Sequence, residues 1–310
     1  MRSLKRFAFA ATALLPYTVA VVLWGAYVRA SLSGDGCGDH WPLCNGVALP
    51  VDPSTKTLVE LTHRVTSGVT WIWTLAMWLM ARGLFVRGHA TRAAAGWSLF
   101  FMTTEALVGA GLVLFRMVAE NPSTARAAWM SVHLVNTFLL LAALTWMAFS
   151  AWRESGANWP RDSRTRRLFG GAAALLLLAG VSGAIAALGD TLFPAGSLAE
   201  ALREDLAPAS HIFLRLRLWH PVIAILGAGY LVWLAGRLLR DASSPQNRSL
   251  TLGLGALSLI QIAVGFANVA LLAPVWLQLT HLLIADAIWI TLITLALSSQ
   301  PSISGANLTA

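Results

Sequence analysis

Eight long apolar segments dominate this 310-residue chain, at approximately 7–30, 60–81, 95–115, 129–151, 168–188, 218–236, 250–272 and 277–298. A spanning helix needs about 20 mostly apolar residues. In lipid, each backbone polar group must be satisfied within the protein, which makes helix the form open to runs of this length. The segments consume more than half the chain, leaving short loops and no room for a separate soluble domain. Arg2, Lys5 and Arg6 precede the first run as they would in a signal peptide. That run continues past Val28 without a small-x-small cleavage site, so a retained first helix is expected. The expected fold is an all-α membrane protein with eight transmembrane helices.

The formal net charge of +8 invites a nucleic-acid partner, but its distribution points elsewhere. With the N-terminus inside, the inner segments carry 14 cations against three acids, Glu154, Asp162 and Asp241. The outer segments carry eight cations against nine acids. Excess Lys and Arg on alternate loops is the positive-inside pattern. It predicts a multi-pass protein of the cell (inner) membrane with both termini cytoplasmic, and no nucleic acid among its partners.

The eight segments fall into two similar sets of four. His63 opens the second segment and His220 the sixth; His133 lies near the start of the fourth and His281 near the start of the eighth. Gly25-Ala26 is matched by Gly183-Ala184, and Glu105-Ala-Leu-Val-Gly109 by Gln261-Ile-Ala-Val-Gly265. Two pseudo-symmetric four-helix bundles are therefore expected: an N-terminal half at 1–151, a cytoplasmic linker at 152–167, a C-terminal half at 168–298 and a cytoplasmic tail at 299–310. Parallel copies enter from the same side, which sets all four histidines toward the outer face. The third outer loop, about 189–217, has room for a short amphipathic helix.

An ionisable group at membrane depth is costly and usually marks a functional site. One buried histidine is most often a hydrogen-bonded core residue. Four at matched depth in duplicated positions suggest two pairs of axial ligands to haem iron, since helical bundles build cofactor sites from facing side chains. No thiolate or carboxylate cluster completes a set for a bare metal beside them. His40, His89 and His211 fall in loops and read as solvated.

The halves differ beside their histidines. Glu60 precedes His63 by one turn, whereas Arg217 holds the matching place before His220. A carboxylate there can manage protons or stabilise positive charge on a substrate, or simply pair with Arg64. An arginine suits haem propionates, and Arg29 and Arg64 are further candidates for that contact. Cys37 and Cys44 share the first outer loop, where an oxidising environment favours a disulfide. The bridge is either a staple, a lid over a site or a redox participant.

Together these residues resemble one family, haem A synthase. The resemblance rests on Glu60-Leu-Thr-His63-Arg64, Val132-His133-Leu134, Trp219-His220-Pro221, Leu279-Thr280-His281 and the loop pattern around Cys37 and Cys44, and covers essentially the whole chain. It implies an oxidoreductase that converts haem O to haem A for terminal oxidases. The reaction it implies is oxidation of a porphyrin methyl to a formyl by successive hydroxylations with molecular oxygen. His63 and His133 would face the substrate haem, His220 and His281 would ligate haem b, and Glu60 would be the catalytic carboxylate. Implied partners are membrane lipid, a haem O synthase (farnesyltransferase), the terminal oxidase assembly and an electron donor of unspecified identity. Some members carry a second cysteine pair in the third outer loop; residues 189–217 here contain none. The alternatives are a di-haem b-type electron carrier that would not need Glu60, a thiol oxidoreductase and a transporter. The carrier is the runner-up. The oxidoreductase lacks a second thiol pair, and Glu105 and Asp286 do not outline an ion path.

Overall fold

The computed structural model describes residues 2–153, 156–240 and 244–299. The tail expected at 299–310 lies, apart from Ser299, outside these residues, as do Glu154 and Asp241 of the inner loops.

The described residues form ten helices joined by turns and loops. The long helices are α1 (Arg2–Ala30), α2 (Thr55–Leu84), α3 (Ala90–Leu114), α4 (Thr124–Ala151), α5 (Ser163–Leu192), α8 (Trp219–Arg240), α9 (Pro245–Ala270) and α10 (Val275–Ser298). Two short helices, α6 (Leu198–Leu206) and α7 (Ile212–Arg217), fill the loop where a short amphipathic segment was expected. Among the described residues the isolated extended pairing is Cys44 with Val47.

The helices overrun the apolar segments because their caps lie in the polar flanks. Ser54, Ser123, Asp162, Ser197 and Ser244 each accept the N–H three residues on, satisfying a donor with no partner inside the helix. The Thr165 N–H holds the Asp162 carboxyl below the usual carboxylate range. His89 and His211, expected to be merely solvated, cap α3 and α7 through Nδ1.

Seven helical stretches are long and apolar enough to cross a membrane, α7 and α8 counting together as Ile212–Arg240. The eighth expected span, on α2, is not among them. Glu60, His63, Arg64 and a ladder of threonines from Thr62 to Thr74 dilute its apolar character.

Packing follows the chain order. In the first half α1 packs on α2 and α4, and α3 on α2 and α4; in the second, α8 packs on α5 and α9, and α10 on α5 and α9. Phe7, Leu14, Met77, Leu144 and Met147 form one core, and Leu231, Leu234, Leu254, Leu292 and Leu295 another. A third core joins the halves where α4 meets α10. There Trp289 packs on Phe138 with ring centroids 5.0 Å apart and donates its indole N–H to the Phe138 carbonyl at 2.7 Å. The perimeter remains apolar: Phe9, Ile72, Leu226, Leu259 and Phe266 are exposed. Large contiguous apolar surface of this kind suits lipid rather than water.

Candidate functional site

All four helix-borne histidines lie within the first ten residues of their helices, and each is partly buried. Every ring rests against a glycine of the neighbouring helix. A Cβ on Gly25 would come within 2.8 Å of His63 Cε1, and one on Gly183 within 2.9 Å of His220 Cε1. Gly109 faces His133 Cε1 at 3.8 Å and Gly265 faces His281 Cε1 at 3.3 Å by the same measure. The glycines that recur in the sequence are thus the ones against which the imidazoles lie. Gly183→Ala is expected to displace the His220 ring and to cost about 1–3 kcal/mol as an overpacked contact. Gly109→Ala, at ordinary van der Waals range, should be tolerated. Thermal unfolding and optical spectra of the two variants check this; equal behaviour would remove the glycine seat from the argument.

In the second half, His220 on α8 and His281 on α10 face each other with ring centroids 6.3 Å apart and planes 84° apart. Imidazole nitrogens bond first-row metals at about 2 Å, so two rings on opposite sides of one iron have centroids roughly 6 Å apart. The pair fits axial ligation of a haem. Ser182 Oγ lies 3.1 Å from His220 Nδ1, which leaves Nε2 free for a ligand. On His281 the Nδ1 is buried without a partner, while Nε2 is 3.2 Å from the Gln261 amide, a bond that ligation would displace. Among the described residues, no group of three or more His, Cys, Asp or Glu side chains could hold a bare metal ion. A porphyrin brings its own four nitrogens and needs only the axial pair.

In the first half, His63 is carried by α2 and His133 by α4, each ring against its glycine, Gly25 and Gly109. Glu105 of α3 reaches His133, its Oε1 3.4 Å from Nδ1. That carboxylate also accepts from Thr137 Oγ1, and from Asn136 Nδ2 at 2.5 Å. Asn136 in turn is held by Phe101 O and Thr104 Oγ1. The carboxylate beside His133 is therefore fixed from three sides. Sequence reasoning set Glu105 aside; its signal was the position one turn before Gly109, matching Gln261 before Gly265. Asp286, five residues past His281, makes no hydrogen bond through either oxygen.

Glu60 and Arg64 lie one turn apart at the start of α2 and form a buried ion pair, Nη2 to Oε1 at 2.5 Å. Their remaining atoms hold the first loop. Glu60 Oε2 accepts the Cys37 N–H at 2.8 Å, and Arg64 Nη1 donates to the His40 and Leu43 carbonyls. Thr57 Oγ1 donates to Gly36 O, and the Gly36 backbone lies so close to Lys56 that a side chain there would collide with it. Cys37 and Cys44 are disulfide-bonded, seven residues apart in sequence, and the loop is further tied by Arg116 to Asp39. The guanidinium keeps the Asp39 carboxyl below the usual carboxylate range. Closing a loop this short restricts the unfolded chain by about 2–3 kcal/mol. Cys37→Ser with Cys44→Ser should therefore lower the unfolding temperature while the Glu60 and Arg64 bonds preserve much of the activity. A folded double variant with no activity at all would assign the bridge a redox role.

The other arginines sit apart from the first-half histidines. Arg29, on α1, donates to Ala187 O, Thr191 Oγ1 and Gln278 Oε1, which stitches α1 to α5 and α10. Arg217 is gripped by Asp190 and Asp205, each at 2.7 Å, with its Nη2 buried and unpartnered.

Comparison with known proteins is consistent with this geometry. The chain is 48% identical over 300 residues to a Thermus thermophilus protein named protoheme IX farnesyltransferase, covering 95% of this chain and 48% of that one. It is 30% identical over 150 residues to the heme A synthase of an Exiguobacterium species, covering 48% of each chain. It is 37% identical over 97 residues to that of Bacillus mycoides, covering 31% of each. The chain thus spans about half the length of the Thermus relative it matches almost throughout. Residues 6–293 match the model of the COX15-CtaA cytochrome oxidase assembly proteins, and the chain belongs to that family, the family of the haem A synthases.

Proposed function

We propose that this protein oxidises a methyl group of haem O to the formyl group of haem A, with molecular oxygen as the ultimate oxidant. The observation that carries this reading is the facing pair His220 and His281, spaced as two axial ligands are, together with a second histidine pair seated on matching glycines. In this reading α2 is the eighth span, and residues 1–151 and 168–298 are two pseudo-symmetric bundles joined by 152–167. Both termini are cytoplasmic and both haem sites lie toward the outer face of the cell membrane, as the distribution of Lys and Arg supports.

His220 and His281 hold haem b, and Ser182 orients the first of them. Haem b, when bound, supplies a one-electron store. His63 and His133 receive the substrate porphyrin, and Glu105 fixes the ring of His133. In each of two successive hydroxylations one atom of O2 enters a C–H bond of the methyl and the other leaves as water, with two protons and two electrons from an external electron donor; the resulting geminal diol loses water to give the formyl. Glu60 is placed to take up or release the protons these steps require. Arg217 Nη2, buried and unpartnered, is the propionate donor; four of the five N–H groups of Arg64 are used on Glu60 and the loop.

Half of the Thermus relative lies beyond the matched region, and that protein is named a farnesyltransferase. We take the unmatched half as the prenylating partner, so that a haem O synthase would hand substrate to a chain like this one within one assembly. Expression with a haem O supply, followed by extraction and chromatography of the porphyrins, tests the activity. Haem A in the extract supports it; unaltered haem O would leave a di-haem electron carrier instead.

A further inference from the structure

The four imidazoles differ in what stands behind them. An imidazole that gives Nε2 to iron carries its proton on Nδ1, so that nitrogen can only donate. His220 Nδ1 has the Ser182 hydroxyl at 3.1 Å. His63, His133 and His281 bury Nδ1 without a hydrogen bond. Behind His133, however, stands a carboxylate, with Glu105 Oε1 at 3.4 Å. Ligation through Nε2 would set a proton on Nδ1 facing that oxygen.

Glu105 is held as an acceptor. Asn136 gives an amide hydrogen to Phe101 O at 2.9 Å, and its Oδ1 takes the Thr104 hydroxyl at 2.6 Å. A carbonyl cannot donate, so this amide cannot be reversed, and Nδ2 also donates to Glu105 Oε2 at 2.5 Å. Thr137 Oγ1 donates to Oε1. Donors therefore converge on both oxygens of the side chain.

The second half carries no such charge at the matching place. Gln261 precedes Gly265 by four residues, as Glu105 precedes Gly109. It is neutral, and its amide nitrogen meets His281 at Nε2, 3.2 Å away, rather than at Nδ1. The duplicated sites share a plan and differ at this position by one negative charge. A carboxylate on the far nitrogen of a metal-bound imidazole raises the basicity of the ligand. Second-shell hydrogen bonding of this kind is one of the levers a protein has on a haem potential.

We propose that Glu105 is a positioning residue that makes His133 a more strongly donating axial ligand and lowers the reduction potential of the porphyrin held at His63 and His133. Gln261 leaves the second-half haem without this bias, so the pair of positions sets the two irons apart. The assignment rests on the reading of His63 and His133 as the substrate site.

The test is anaerobic spectroelectrochemical titration of the full-length protein loaded with haem O, in wild type and in Glu105→Gln. Protein purified without haem O gives the second-half couple alone. The variant keeps the size of the side chain and can still accept from Asn136, but it turns an amide NH2 toward His133 Nδ1. At fixed potential the ratio of reduced to oxidised first-half haem should rise about tenfold, a shift of about 59 mV for a one-electron couple. The second-half ratio should stay within about twofold. Thr137→Val relieves Oε1 of a competing donor, so it should lower the first-half ratio, and it serves as the test should Glu105→Gln not fold. No shift in a folded Glu105→Gln protein, a shift shared by both haems, or a ratio that does not fall in Thr137→Val overturns the proposal. Wild type that takes up no porphyrin beyond the second-half haem overturns the substrate site, and the role of Glu105 with it.

Discussion

Glu60→Gln is expected to abolish haem A formation while leaving the second-half haem spectrum intact. The substitution keeps an oxygen for the Cys37 N–H but turns an amide NH2 toward the Arg64 nitrogens that donate to Oε1, so the loop keeps one of its two anchors at this residue. What it removes is the negative charge and the proton-accepting oxygen beside His63. General acid–base groups contribute about 10²–10⁴-fold to rate, and a loss of that size would push the product below detection in a porphyrin extract. Glu60→Ala confounds two effects. It strands the Arg64 guanidinium in a buried position, and breaking such a pair costs about 3–5 kcal/mol. Both variants break the ion pair, and Ala also loses the Cys37 bond, so Gln should be inactive and moderately destabilised, and Ala inactive and less stable still. A Gln variant that makes haem A at the wild-type level would take Glu60 out of the mechanism.

His220→Ala and His281→Ala should each lose the stable low-spin haem from the second half almost completely. Either change removes one of two rings held 6.3 Å apart by separate helices, and the remaining ring cannot supply both axial bonds. The first-half pair, on α2 and α4, stays in place, because the cores of the two halves are built from different helices. Redox-cycled optical spectra of purified protein give the answer. If both variants keep an ordinary low-spin spectrum, the haem b site is assigned to the wrong half.

Most of the architecture was legible in the sequence because lipid leaves few options for long apolar runs. The caps that extend α2 and α5 were less so, since Ser54 and Asp162 lie in stretches that hydropathy reads as loop. The histidines were legible through repetition, and so were the glycines, although only the close approach of Gly25 to His63 and Gly183 to His220 gives their reason. Glu105 was hidden by the habit of reading a lone acid in a span as a fragment of an ion path. Its role depends on Asn136 and Thr137, about thirty residues away, and no local pattern announces such a contact. Arg29 was legible only as a cation at the end of α1; its partners are on α5 and α10, brought close by the packing of α1 against the second half.

The ion pair at the start of α2 has a further meaning for traffic through the mouth of the first half. In the proposed reaction, the carboxylate that handles protons is also the latch on the loop above it. Any swing of that loop wide enough to pass a porphyrin must first release Cys37 from Glu60 and the His40 and Leu43 carbonyls from Arg64. Under the proposed function, admission of cargo and readiness for oxidation would then be alternatives at a single residue.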